Sequence, residues 1–136
     1  MMVLVDTSIW SLALRRTRQH LSLQQARQVH VLEEIVSEGR VRLLGSVRQE
    51  LLSGIKHPEQ FSRLQQRLHT FPDVALEVED YEGAAELSNT CQARGVAGSA
   101  IDFLLCSVAL RRSWAIYTAD RDFQRYANHI PLTLFP

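Results

Sequence analysis

The sequence predicts an α/β domain with a mainly parallel sheet. Short apolar, β-branched runs alternate with longer stretches of helical periodicity from one end of the chain to the other. Helix caps and Pro or Gly stops fall between the two kinds of segment. Hydrophobic residues make up 46% of 136 residues, which supports one core and leaves little room for a second. A single domain spanning residues 1–136 is expected, with no linker, repeat or low-complexity tract.

Met2 to Val5 reads as a buried first strand, and Ile9 to Leu14 as a short helix after Asp6-Thr7-Ser8. Ser22 with Gln25 forms a capping box that opens the next helix. Its apolar positions Val29, Leu32, Ile35 and Val36 recur at helical spacing until Gly39 ends it. Val41 to Leu44 is a second strand. Ser46 and Gln49 match another capping box, opening a helix with Val47, Leu51 and Ile55 on its core face. Pro58 suits the first turn of a helix that Pro72 stops. Val74 to Val78 is a short strand, and Asp80 begins a helix bearing Tyr81, Ala84, Leu87 and Cys91 on one face. Gly95 and Gly98 bracket a loop. Ser99 then opens a helix over 100–112 that is apolar on nearly all sides, hence central. Ala115 to Thr118 is a strand, Asp120 to Asn128 a helix and Leu132 to Phe135 a last strand.

Composition excludes several classes. No run approaches the roughly 18 apolar residues of a membrane span. Met1 to Asp6 lacks the basic start and apolar stretch of a signal peptide, so a cytoplasmic protein without a membrane partner is expected. Cys91 and Cys106 are too few and too far apart for a disulfide framework or a zinc site. The glycines make neither GxGxxG nor a GK[ST] loop, which argues against dinucleotide and P-loop folds. The five histidines show no metal-ligand spacing. The 15 basic and 15 acidic side chains cancel, yet 14 of the basic ones are Arg and only Lys56 is Lys.

The aspartates stand at comparable places in this map. Asp6 follows the first strand, Asp120 and Asp122 follow a later one, and Asp102 lies in the first turn of the central helix. Ligands of open parallel sheets bind in the crevice beyond the carboxyl ends of the strands. Glu50, three residues after Val47, sits on the edge of its helix's core face, where an acid needs a partner or a metal. Each has a plain structural reading. Asp6 and Asp120 serve as helix caps worth about 1 kcal/mol each, Asp102 as a capping partner of Ser99, and Glu50 as a solvated acid beside Arg48.

Taken together the acids ask for more. Two like charges about 4 Å apart repel by about 4 kcal/mol at an effective dielectric near 20, so such a cluster needs protons or a cation. Oxygen-only ligands select a hard ion, Mg²⁺ or in its place Mn²⁺. The chemistry such a site supports is metal-assisted phosphodiester hydrolysis. Outside Asp6, Glu50, Asp102, Asp120 and Asp122 the basic groups outnumber the acids by five. Nearly all are Arg, the phosphate-binding side chain. Arg15, Arg16 and Arg18, Arg111 with Arg112, and Arg121 with Arg125 are the candidates for contact with nucleic acid.

Four segments occur in a telling order. They are Asp6-Thr7-Ser8-Ile9-Trp10 after an N-terminal strand, Glu50 alone on a following helix, Ile101-Asp102-Phe103-Leu104-Leu105, and Tyr117-Thr118-Ala119-Asp120-Arg121-Asp122-Phe123. Together they resemble the PIN-domain nucleases, the last segment being similar to that family's Thr-x-Asp-x-Asp-Phe signature. Within the family they look most like the VapC-type toxins of type II bacterial toxin–antitoxin pairs. The resemblance spans essentially the whole chain and implies a three-layer α/β/α domain with four to five strands. It implies a Mg²⁺-dependent endoribonuclease acting on transfer or ribosomal RNA. Asp6 and Asp102 would be its main metal ligands, with Asp120 and Glu50 completing an acidic quartet directly or through water. Asp122 would be an auxiliary acid or a cap. Thr7, Ser8 and Thr118 would hold these groups by hydrogen bonds, and Arg15, Arg16, Arg18 and Arg121 would contact the RNA. The resemblance further implies a homodimer, silenced by a cognate VapB-type antitoxin in a hetero-oligomer. The run Phe103-Leu104-Leu105-Cys106-Ser107 is bulkier than the family's Ile-Ala-Ala type segment, which bears on packing rather than chemistry.

Other classes compete with this reading. A non-catalytic α/β interaction module would use the acids as caps and bind through exposed apolar positions, for which Trp10, Leu12, Leu14 and Leu21 are the candidates. A DNA-directed metal-dependent nuclease shares the acidic logic but usually carries extra helices, for which 136 residues leave little space. Receiver and dehalogenase-like phosphotransferase folds need a lysine late in the chain, and Lys56 does not supply it.

Overall fold

The computed structural model describes residues 1–15 and 18–136. The chain runs β1 (Val3–Val5), α1 (Thr7–Leu14), a 3-10 turn (Arg18–His20), α2 (Leu23–Ser37), β2 (Val41–Arg42) and α3 (Gly45–Leu52). It continues through α4 (Pro58–Leu68), α5 (Val78–Ala93), α6 (Ala100–Arg112), β3 (Ala115–Tyr117) and α7 (Asp122–Ala127). The three strands are parallel in the order β2-β1-β3, with Val3 opposite both Val41 and Ala115. Successive strand residues face opposite sides of a sheet, and every residue of β1 and β3 is buried. Helices therefore cover both faces, as in α/β folds generally.

Single parallel bridges, Leu43 to Asp73 and Ile116 to Leu134, add a further segment at each edge. The strands expected at 74–78 and 132–135 are reduced to these contacts. Pro72 and Pro131 flank them, and proline cannot donate to a ladder.

Most helix ends follow the sequence signals. Ser22 and Gln25 form the reciprocal capping box of α2, and Pro58 is the first residue of α4. Two starts differ. Helix α3 begins at Gly45 after Leu44, so Ser46 lies inside the first turn, and its Oγ is buried without a hydrogen-bond partner. The fully buried Leu43 and Leu44 fix where the chain enters, which overrides the cap signal. Helix α5 begins at Val78, and Asp80 is not its start but the third residue inside it. The surface proposed around the first helix is also corrected. Trp10 and Leu12 are buried, Trp10 edge-on to Phe71 at 5.0 Å, because α1 packs on the core. Among the described residues no helix is long and apolar enough to cross a membrane.

Asp80 is wholly buried between α5 and α6. Its carboxylate accepts from Arg111 Nη1 at 2.7 Å, from Arg112 Nη1 and Nη2 at 2.7 and 3.0 Å, and from the Glu77 amide at 2.8 Å. Arg111 and Arg112 are thus structural cations rather than free nucleic-acid contacts, contrary to the expectation from sequence. The Arg112 hydrogen bond, ahead of the other donors, holds the Asp80 carboxyl well below its ordinary value of 3.8. Removing one partner of a buried ion pair typically costs about 3 kcal/mol, so Asp80→Asn is expected to lower stability by about that amount in urea denaturation at neutral pH. A depressed native value makes the carboxylate's contribution complete above 3.8 and lost as pH falls below it. The gap between wild type and variant should therefore narrow in acid.

Candidate metal centre

The order β2-β1-β3 places a topological switch beside β1, since the chain leaves β1 toward one neighbour and later returns to the other. Crevices at such points are where α/β sheets bind ligands. Asp6 and Thr118 immediately follow the adjacent parallel ends of β1 and β3, and the Asp6 amide donates to the Tyr117 carbonyl at 2.9 Å.

Asp6 caps α1 and is buried. Its Oδ2 accepts from Ser8 Oγ and Thr118 Oγ1, both at 2.8 Å, and from the Ser8 amide at 3.4 Å. These donors make an otherwise costly buried charge tolerable. Ser8 Oγ also accepts from the Ala119 amide at 2.9 Å, and Thr118 Oγ1 from the Asp120 amide at 3.0 Å. Two hydroxyls thereby lock the loop after β3 to the end of β1. Asp120, exposed, accepts the Asp122 amide at 2.9 Å and so helps start α7.

Asp102 is half-buried in the first turn of α6, where its amide donates to the capping Ser99 Oγ at 3.1 Å. Tyr126 Oη donates to Asp102 Oδ2 at 2.7 Å. Burial, with the Asp6 and Asp120 charges adding to it, raises the Asp102 carboxyl above its ordinary value against the lowering effect of the Tyr126 and Ser99 bonds. Burial and the Asp102 charge raise the Tyr126 phenol, which stays a protonated donor.

Carboxylate oxygens of Asp102, Asp120 and Asp122 lie within 4.8 Å of one another. Asp6 is not one of these three, although its charge acts on Asp102. Glu50 stands apart as well: it is exposed on α3, and Thr7 Oγ1 donates to its Oε2 at 2.9 Å, tying it to the residue after Asp6. The nearest guanidinium to the cluster among the described ion pairs is Arg125, 3.6 Å from Asp122. It is one of the arginines expected to contact nucleic acid, and it stays exposed beside this acid. Arg121 and Arg15 are exposed and make no ion pair among the described residues. Arg16 and the Arg18 side chain lie outside the described residues.

The donor set is oxygen only, which suits a hard divalent cation. Sequence reasoning missed two participants. Tyr126 had no motif to mark it. Gly98 was read only as a loop residue, yet a Cβ there would collide with the Tyr126 hydroxyl, so glycine leaves the space that this phenol occupies.

A family model for the PIN domain matches residues 3–129. The chain belongs to the PIN-domain family. PIN domains are nucleases that generally use divalent metals. The fold of this PIN domain is shared by several solved structures. It matches a structure of VapBC2 from Rickettsia felis bound to a promoter DNA fragment, with a TM-score of 0.77, 18% identity and coverage of 99% of this chain and 98% of that one. A structure of FitAcB from Neisseria gonorrhoeae gives 0.76 and 19%, covering 99% and 97%. VapBC-1 from nontypeable Haemophilus influenzae gives 0.71 and 18%, also covering 99% and 97%. No curated protein matches the sequence.

Proposed function

We propose that this PIN domain is a Mg²⁺-dependent endoribonuclease, the VapC-type toxin of a toxin–antitoxin pair, cutting transfer or ribosomal RNA. The observation that carries the reading is the cluster of Asp102, Asp120 and Asp122, with the Asp6 charge acting on Asp102, at the switch point of the sheet. Asp6 and Asp102 are the residues that would hold the metal, with Asp120 and Glu50 joining directly or through water. A bound Mg²⁺, or Mn²⁺ in its place, supplies polarisation of the phosphate and a water of lowered pKa. Glu50, which accepts a hydrogen bond from Thr7, would orient or deprotonate the attacking water. Asp122 would be an auxiliary acid, while the loop is held by the Asp120 carboxylate, which accepts the Asp122 amide. Ser8 and Thr118 fix the Asp6 carboxylate, so its geometry is set before substrate arrives.

The likeness to the VapBC2 and VapBC-1 toxin–antitoxin structures supports a cognate VapB-type antitoxin for this chain. The free toxin is read as a cytoplasmic homodimer that enters a hetero-oligomer with the antitoxin.

Incubation of purified, antitoxin-free protein with total cellular RNA and Mg²⁺ or Mn²⁺, followed by mapping of new 5′ ends, tests the reading. Cleavage at a few discrete positions, lost with EDTA, is the expected outcome. No cleavage by folded protein, or cleavage of DNA alone, would overturn it.

A further inference from the structure

Five arginines among the described residues are held by carboxylates. Arg40, Arg48, Arg111, Arg112 and Arg125 each lie within ion-pair distance of a carboxylate. A cleft of about 730 Å³ gathers the opposite kind. Arg15 from the C-terminal end of α1, Lys56 from the loop after α3, and Arg63 and Arg67 from α4 line it together, with His57 beside them. All four cations are exposed, and none forms an ion pair among the described residues. Glu59, one turn before Arg63, makes no ion pair with it either. Four unpaired cations around one concavity repel each other, which a polyanion relieves. Leu14, Ile55 and Leu64 supply apolar wall between the charges.

The cleft is joined to the candidate centre by two elements. Helix α1 starts at Thr7, next to Asp6, and ends at Leu14 beside the cleft. Its length of about 12 Å follows from about 1.5 Å per residue. Helix α3 carries Glu50 and runs into the Gly54–His57 segment that lines the same cleft. One strand of nucleic acid carries a charge about every 3.4 Å or more, so about 12 Å is the reach of a few nucleotides.

We propose that this cleft binds the phosphate backbone of single-stranded RNA a few nucleotides from the bond that is cut. The proposal rests on the ribonuclease reading above and adds the place where substrate is anchored. Arg63 and Arg67, a turn apart on α4, present a pair of guanidinium groups to successive phosphates, while the apolar wall faces bases or riboses.

The test is fluorescence anisotropy of a short fluorescein-labelled oligouridylate with the full chain, in EDTA so that nothing is cut, across a salt series. Each phosphate neutralised on a single strand contributes a slope of about 0.7 in log K against log salt. The double variant Arg63→Gln, Arg67→Gln should therefore bind about 25-fold more weakly near 0.1 M salt, with a slope shallower by about 1.4. Arg63→Lys with Arg67→Lys should keep most of the slope. Arg94→Gln, an exposed arginine outside the cleft, should bind as wild type. Unchanged affinity and slope in the double glutamine variant, at an unchanged Tm, would overturn the proposal. An equal loss in Arg94→Gln would do so too, because it would show only a general charge effect. Intact oligouridylate binding with lost copurification of the antitoxin would assign the cleft to a protein and likewise overturn it. Binding and cutting are read separately. Arginine-dependent binding without cleavage of cellular RNA would refute the nuclease reading alone, and cleavage with arginine-independent binding would refute the anchor alone.

Discussion

Asp102→Asn is expected to abolish RNA cleavage and, with no divalent metal present, to make the protein more stable than wild type. The Asp102 carboxylate is half-buried, shares a small volume with Asp120 and Asp122, and feels the Asp6 charge. Repulsion between charges about 4 Å apart is about 4 kcal/mol at an effective dielectric near 20 and is screened further by the exposed Asp120 side. Asparagine keeps the shape and an oxygen that accepts from Tyr126, while removing one charge. A gain of about 1 kcal/mol, or about 3 °C in Tm, follows. Because burial raises the Asp102 carboxyl, metal-free wild type should lose stability as pH rises from 3.8 through that raised value. The variant should lack this limb. Metal reverses the order. A ligand at about 100 times its Kd stabilises the native state by about 2.7 kcal/mol, a gain open to wild type and largely closed to the variant. Differential scanning fluorimetry with EDTA and with millimolar Mg²⁺ or Mn²⁺ reads both arms. A variant that melts below wild type in EDTA, yet keeps the metal shift, would remove Asp102 from the centre.

Much of this arrangement was legible in the residue order. Strands β1 and β3 announce themselves as short apolar runs, and the acids that follow them fall at strand ends for that reason alone. Ser99 set the start of α6 to the residue, because a side-chain cap is a local interaction that depends on nothing distant. Ser46 failed as a cap for the converse reason. Its neighbours Leu43 and Leu44 are pinned in the core by long-range packing, which no window of sequence displays. The edge strands failed similarly, since one bridge on each side is all that the flanking prolines leave.

Pairing was the harder part. Arg111 and Arg112 look like any exposed basic pair until Asp80, thirty-one residues earlier, is seen buried between them. The same chain position that reads as a helix start became an ion-pair hub. Glu50 was expected among the ligands, and it stands on α3 with Thr7 as its hydrogen-bond partner. Its distance from the three clustered carboxylates depends on how α3 packs against α1, a tertiary fact. The free cations around α4 were equally invisible, because sequence lists charges without saying which are neutralised.

Tyr126→Phe is expected to weaken Mn²⁺ binding and RNA cleavage by about 10- to 100-fold, the usual cost of losing a hydrogen bond to a metal ligand. The ring is buried, packed against Phe103 at 4.9 Å and Phe123 at 5.3 Å, so phenylalanine keeps the packing and deletes only the hydroxyl. Without that donor, Asp102 Oδ2 loses its tie to α7 and is less firmly held on the Asp120 side. Tyr126 is a positioning residue in this account, acting through Asp102. Gly98→Ala should produce the same loss together with a lower Tm, because its methyl group meets the ring as well as the hydroxyl and must displace both. Direct Mn²⁺ titration followed by electron paramagnetic resonance separates the two effects. Tyr126→Phe should change the Mn²⁺ Kd and kcat while leaving KM for RNA and the metal-free Tm near wild type. If Tm falls and Mn²⁺ binding does not, the hydroxyl only supports the core, and Asp102 is held in place by the α6 backbone and Ser99 alone.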